Sequence, residues 1–282
     1  MSTVGIVTGG GRGMGYACAQ RVAGLVDTLL LVDRDAATAD AARDVLAAEN
    51  PGVTVESVVL DITDTQGLAH LADRIGELGE LRAVAHAAGI SPSMGDWRDI
   101  FTVDLIGTAL LAQALRPLAV PGTATVCFAS MAPLLDPTPP DPAALAILDD
   151  PLDPQFLDRL RGVLGPVVEK PGVAYGWAKR GVHRFVEQEA VRLGPSGARI
   201  CSVSPGMIDT PQGRQEAAEQ PSIAALIERT PLGRTGIADE VADVVAFALS
   251  DRASFLNGTD LLVDGGVMAA VRVAGRNTAG LQ

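Results

Sequence analysis

The sequence predicts an α/β protein in which one parallel sheet carries helices on both faces. Three observations carry that prediction. Short, continuously apolar runs alternate with amphipathic stretches along the whole chain. Strands apolar on both faces belong to a buried parallel sheet, and the stretches between them supply the crossovers such a sheet requires. A glycine-rich turn, "TGGGRGMG" at 8–15, joins the first apolar run to the first helical pattern. No repeat and no linker divides the 282 residues, so one domain spanning 1–282 is expected.

The elements follow in order. "TVGIVTG" (3–9) reads as a strand and leads to a helix from Met14 to Ala23. "TLLLVD" (28–33) precedes a helix from Ala36 to Glu49, and "VTVESVVLD" (53–61) one from Asp64 to Leu78. "RAVAHAA" (82–88) comes before a long helical stretch from Trp97 to Leu118. "TATVCFAS" (123–130) is a strand, Tyr175 to Leu193 a helix and "ARICSVSPG" (198–206) a strand. Asp239 to Leu249 is a helix and "GTDLLVDGG" (258–266) the last strand. Residues 132–172 interrupt this rhythm with nine of the eighteen prolines, including "PTPPDP", which regular helix or strand excludes. Within that insertion, "AALAIL" (143–148) and "QFLDRLRGVL" (155–164) read as short helices. A long insertion of this kind is expected to wall a cleft or form an oligomer contact.

Composition excludes several functions. The chain is 48% hydrophobic and 20% charged, which is globular rather than disordered. A net charge of −12 repels polyanions, so neither nucleic acid nor an anionic membrane is an expected partner. The continuous apolar runs, such as "TLLLV", are too short to span a bilayer. No basic flank precedes the first apolar run, so a signal peptide is not expected and a cytoplasmic location is. Cys18, Cys127 and Cys201 form no CxxC pattern, and His70, His86 and His183 lack ligand spacing. Buried small side chains, and no metal, are the expectation.

The glycine-rich turn is the first candidate site. Gly9, Gly13 and Gly15 permit a tight turn and a close approach of backbone to a pyrophosphate, which the free N–H groups of the following helix attract. The position between strand and helix points to a dinucleotide. Asp33 ends the second strand, where a carboxylate accepts hydrogen bonds from a ribose diol and repels a 2′-phosphate; this favours NAD over NADP. Arg12 and Arg34 favour the opposite choice, because a guanidinium binds that phosphate. Asp61 ends the third strand and either faces the adenine or caps the next helix.

The second candidate site is "VAYGWAK" at 173–179. Tyr175 and Lys179, at i and i+4, lie on one helix face. A free phenol, with a pKa near ~10, transfers protons poorly at neutral pH. A neighbouring ammonium stabilises the phenolate and lets it act as a general base or acid on an alcohol or carbonyl.

With these residues in view, the chain resembles the short-chain dehydrogenase/reductase family over essentially its full length. The resemblance rests on "TGGGRGMG", Asp33, Asp61, "AAG" at 87–89, Ser130, "YGWAK", "PGMIDT" at 205–210 and "NGTDLLVDGG" at 257–266. It implies a single-domain Rossmann fold with a seven-stranded parallel sheet, and hydride transfer between a nicotinamide and an alcohol or ketone. It implies that Ser130 hydrogen-bonds the substrate oxygen, Tyr175 passes the proton, and Lys179 holds the nicotinamide ribose. It also implies that Met14, Ile62, Ala88, Gly89, Pro205, Gly206, Ile208 and Thr210 line the dinucleotide cleft, with Thr210 at the carboxamide.

Three features depart from the family pattern. Asp104, in "VDLIG", stands where an asparagine is usual; there the family residue holds a lysine-linked water through its backbone carbonyl, and Asp104 is expected to keep that relay while adding a negative charge near Lys179. "HAAG" replaces "NNAG", so the loss of side-chain hydrogen bonds that steady the sheet is expected at His86 and Ala87. Ser130 and Tyr175 are 45 residues apart, against about a dozen in the family, and the added segment resembles that of bacterial 3α-hydroxysteroid dehydrogenase/carbonyl reductases. That resemblance implies a bulky hydrophobic alcohol or ketone and a homodimer or homotetramer. The stretch 207–230 falls where the family places its substrate lid. A non-catalytic dinucleotide sensor is the alternative function. A sugar-nucleotide epimerase is disfavoured by the short chain remaining after Gly206.

Overall fold

In the first strand, β1 (Thr3–Thr8), the side chains of Val4, Ile6 and Val7 are all fully buried, as the unbroken apolar run requires. The computed structural model containing it describes residues 1–136, 138–211, 213–214 and 221–279. It continues through β2 (Thr28–Asp33), β3 (Thr54–Val59), β4 (Glu80–His86), β5 (Ala124–Phe128) and β6 (Arg199–Pro205). Two short strands, β7 (Ile208–Asp209) and β8 (Gly236–Ile237), pair with each other, and β9 (Asp260–Val263) closes the sequence of strands.

Seven of these strands form one parallel sheet in the order β3-β2-β1-β4-β5-β6-β9. The fold is thus the single Rossmann-type domain that the sequence implies. Strand order reverses between β1 and β4, so the crossovers leave β1 in opposite directions and open a crevice above its carboxyl end. One face is covered by α1 (Gly13–Val22), α2 (Ala36–Glu49) and the helix Ala238–Leu249, through Cys18, Val22, Leu46, Val241 and Val245. On the other face, α3 (Thr65–Leu78) packs Leu68, Leu71 and Ile75 against the sheet.

The stretch expected as one helix from Trp97 to Leu118 is divided. It comprises α4 (Trp97–Phe101), a π-helical turn (Thr102–Ile106), α5 (Gly107–Leu115) and a 310 turn (Arg116–Leu118). These 22 residues contain an 18-residue window of mean hydropathy 1.2, which meets the length and composition of a bilayer span, contrary to the expectation drawn from continuous apolar runs alone. Half of that window is nevertheless buried within the molecule, as in a core helix, and Asp104 lies inside it.

The insertion at 132–172 folds as α6 (Ala132–Leu135), α7 (Pro142–Leu148) and α8 (Phe156–Leu164), including both expected short helices. It packs on α4 and on the long α9 (Pro171–Leu193). Phe156 meets Phe101 edge-on at 5.8 Å, and Phe101 meets Trp97 at 6.4 Å. Arg184 of α9 forms a two-pronged ion pair with Asp149 of the insertion. α9 begins four residues before Tyr175, because Pro171 at its first position needs no N–H partner and has a preset φ. Of the expected lid at 207–230, residues 212 and 215–220 lie outside those described; Pro221–Glu228 is helical.

Candidate active site

α1 differs from its neighbours at its first turn. Asp35, Asp64 and Asp96 cap α2, α3 and α4 with side-chain oxygens, whereas Arg12 at the start of α1 supplies no side-chain cap. The N–H groups there face a cleft of about 1390 Å³, its open mouth included. Gly9 and Gly13 have φ of 63° and 58°. A Cβ on Gly9 would lie 2.9 Å from Ala88 backbone, and one on Gly15 would overlap the Gly9 carbonyl oxygen. The turn therefore closes only with glycine.

This cleft brings together Gly9, Arg12, Gly13, Met14, Gly15, Asp33, Arg34, Asp61, Ile62, Ala88, Gly89 and Thr210. A cradle that glycine alone fits, uncapped helix N–H groups and a carboxylate at the end of β2 suit a dinucleotide. Asp33 is fixed by main-chain donors: its Oδ2 accepts from Gly11 N–H and its Oδ1 from Asp35 N–H, both at 3.1 Å. Asp61 lines the cleft but does not cap α3, a role taken by Asp64. Its Oδ1 accepts from both the hydroxyl and the N–H of Thr63; these bonds, with the nearby Arg34 charge, lower its carboxyl below the usual range.

The remaining site residues lie outside the lining of that cleft. Ser130 follows the end of β5 and accepts a hydrogen bond from Ala132 N–H at 3.1 Å. Pro205 ends β6, and its carbonyl accepts from Met131 N–H at 3.4 Å. Gly206 allows the chain to pass Asp264, whose Cα would be 2.6 Å from an added Cβ. Ile208 turns its side chain into the core, which leaves only its backbone to face a ligand. Thr210, which does line the cleft, accepts through Oγ1 from Gly213 N–H at 3.0 Å.

Lys179 ties these pieces together. Its side chain is buried, and Nζ donates to the Phe128 carbonyl at 3.1 Å. This bond joins α9 to the end of β5, two residues before Ser130. Nζ also lies 5.6 Å from the Tyr175 ring centroid and 3.6 Å from Asp104 Oδ2. Asp104 sits on the π-helical turn, and its Oδ1 accepts from Ile90 N–H at 2.8 Å. A Cβ on Gly89 would be 2.9 Å from Asp104 Oδ1 and 3.4 Å from Lys179 Nζ, so Gly89 admits both groups to the backbone.

His86 corrects the expectation for "HAAG". Its side chain does not forfeit hydrogen bonds but carries a chain of them. Ala88 N–H donates to Thr8 Oγ1 at 3.2 Å, and Thr8 Oγ1 lies 2.7 Å from His86 Nδ1. His86 Nε2 lies 2.9 Å from Thr108 Oγ1, which donates to the Asp104 carbonyl at 2.8 Å. The chain has an N–H at one end and a C=O at the other, so only one direction satisfies every member: the imidazole is neutral, with its proton on Nε2. Burial, aided by the Lys179 charge, pushes its pKa down to about 3, which keeps it neutral. Sequence reading missed this role; the available signal was a polar residue in a strand beside Thr8, its partner in the β1–β4 register.

A family model described as short chain dehydrogenase matches residues 3–133, and one described as enoyl-(acyl carrier protein) reductase matches 163–268. The chain is 30% identical to cis-4-hydroxycyclohexanecarboxylate dehydrogenase of Sinomonas cyclohexanicum, over 94% of this chain and 96% of that protein. It is 32% identical to the short-chain dehydrogenase/reductase bsc3 of Alternaria brassicicola, over 95% and 97%. The structure of a short-chain type dehydrogenase/reductase from Mycobacterium ulcerans superposes with a TM-score of 0.75 at 26% identity, covering 95% of this chain and 90% of that one. These relatives support the family; the narrower likeness to 3α-hydroxysteroid dehydrogenases is not among what they establish.

The buried histidine has a consequence for stability. In the unfolded chain His86 binds a proton near pH ~6.5, whereas in the fold it stays neutral down to about 3. Between these values the unfolded state holds more protons, so stability falls as pH falls, by at most about 1.4 kcal/mol per pH unit. The contribution is complete above pH ~6.5 and is lost progressively toward pH 3. Urea unfolding at pH 7 and pH 5 measures it. In His86→Asn the stability lost between the two pH values is expected to shrink by about 2 kcal/mol; an equal loss in both proteins contradicts the buried neutral state.

Proposed function

This chain belongs to the short-chain dehydrogenase family, and we propose that it is an NAD-dependent oxidoreductase interconverting a bulky hydrophobic secondary alcohol and its ketone. The observation that carries this reading is the junction at Lys179, which holds the helix of Tyr175 against the strand end that leads to Ser130. When bound, NAD supplies the hydride acceptor. In the oxidising direction the Ser130 hydroxyl hydrogen-bonds the substrate oxygen and Tyr175 takes its proton. The Lys179 ammonium stabilises the phenolate that starts the cycle. In the reducing direction Tyr175 returns the proton.

NAD is favoured over NADP by Asp33, held by two N–H donors at the ribose position. The charges of the two nearby guanidiniums act in part on carboxylates, that of Arg12 on Asp35 and that of Arg34 on Asp61. A hydrophobic substrate is supported by an apolar cluster after Ser130, in which the buried Met131 and Met268 pack with Leu135 of the insertion and with Met207 and Leu226 of the expected lid. The Sinomonas relative acts, by its name, on a ring alcohol. Cyclic secondary alcohols, hydroxysteroids included, are therefore the first substrates to try.

A second copy of the chain is the proposed partner, as a homodimer or homotetramer. β9 lies at the edge of the sheet, with Leu262 in the strand and Phe255 just before it both exposed. An open strand edge with apolar neighbours suits a symmetric contact.

Turnover read as nicotinamide absorbance, with NAD⁺ or NADP⁺ and a panel of cyclic and acyclic secondary alcohols, tests the function. NAD⁺ is expected to be the better acceptor, and Tyr175→Phe to lower turnover at least ~100-fold. Asp33→Ser is expected to raise the use of NADP⁺ relative to NAD⁺. Unchanged turnover in Tyr175→Phe, or a parent chain that prefers NADP⁺, contradicts the corresponding part. Tight NAD⁺ binding without turnover of any alcohol favours a sensor. Sedimentation at two protein concentrations tests the assembly; a monomer at both rejects it.

A further inference from the structure

Asp104 is a carboxylate placed wholly inside the protein. Its Oδ1 accepts from Ile90 N–H, whereas its Oδ2 has no hydrogen-bond partner and faces Lys179 Nζ at 3.6 Å. Burial raises its carboxyl above the usual range, while the Lys179 charge and the Ile90 N–H oppose that rise. The geometry fits the ionised form. A proton on Oδ2 would point toward an ammonium that offers only donors, whereas an anion there pairs with it.

The groups that face Lys179 come from four elements. Tyr175 is on its own helix and Asp104 on the π-helical turn. His86 on β4 is neutral, and the Cys127 thiol on β5 is pushed up to about 12 by burial. Among the described residues, Asp104 is thus the anion able to offset the Lys179 charge at neutral pH. An amide at 104 would keep the Ile90 hydrogen bond and leave that charge undiminished.

We propose that the Asp104 carboxylate, paired with Lys179 inside the core, is a positioning residue that sets the pH at which Tyr175 gives up its proton, holding it higher than an amide at 104 would. The pairing withdraws part of the ammonium's field from the phenol and places a like charge near the phenolate, and both effects act in the same direction. The proposal deepens the reading of Tyr175 as the proton-transfer group and rests on it.

The test needs no substrate. The chain has two tyrosines, so in a Tyr16→Phe background phenolate absorbance reports Tyr175 alone. Asp104→Asn in that background is expected to lower the Tyr175 midpoint by about one pH unit, a roughly tenfold rise in phenolate at any pH well below it. An unchanged or higher midpoint overturns the proposal. Asp104→Ser, which keeps a hydroxyl for the Ile90 N–H, gives the same reading if the amide variant does not fold. Tyr175→Phe in the turnover assay separates the two ideas. Lost turnover together with an unmoved midpoint overturns the role of Asp104 alone, whereas retained turnover overturns both.

Discussion

The site depends on a buried amine. Lys179 lies in the core, where an ammonium is costly unless it is paired and hydrogen-bonded, and the surroundings supply both kinds of partner. The Phe128 carbonyl is available because β5 ends there, and the Asp104 carboxylate is in reach because the helix after β4 contains a π-helical turn. Such turns recur at functional sites, since the extra residue shifts side chains out of ordinary α-helical register. Gly89 completes the arrangement by leaving room for both charged groups against the backbone.

The proposed cofactor side and proton side of the site share this framework. Gly9 presses on the backbone of Ala88, and the Ala88 N–H begins the chain of hydrogen bonds that ends on the Asp104 carbonyl. The glycine-rich turn, the end of β4 and the π-helical turn are therefore tied through Thr8, His86 and Thr108. Because the chain terminates in an N–H and a C=O, it does not conduct protons; it holds two backbone groups in register. A sheet carrying this network positions Lys179 with little freedom before any ligand arrives.

Much of this was legible in the sequence. Apolar runs located the central strands of the main sheet, because a parallel strand buried on both faces tolerates no polar alternation; the half-buried edge strands β3 and β9 were read from β-branched and apolar residues flanked by turns, and the glycine turn located the cleft. Helix ends were harder to read. α9 starts at Pro171 rather than Tyr175, since proline serves as a first helical residue as readily as a breaker. The π-helical turn was invisible, as it differs from α-helix by one residue of register and by no residue type. Asp61 kept the first of its two readings, in the cleft lining, whereas His86 was misjudged because its partners come from the fold rather than from local sequence. The cap at α3 went to Asp64, and the role of His86 required Thr8 and Thr108 to be brought to it by two separate elements.

In the proposed reaction Lys179 serves turnover through Tyr175 rather than beside it. A double-mutant cycle of Tyr175→Phe and Lys179→Met, read as kcat at saturating NAD⁺ with the best alcohol found, tests it most directly. Saturation removes the contribution of ribose binding, leaving the proton step. If the two residues act as a unit, the double variant is no slower than the slower single variant. Losses that multiply across the two substitutions would mean that Lys179 and Tyr175 act independently, and would contradict this account of the site.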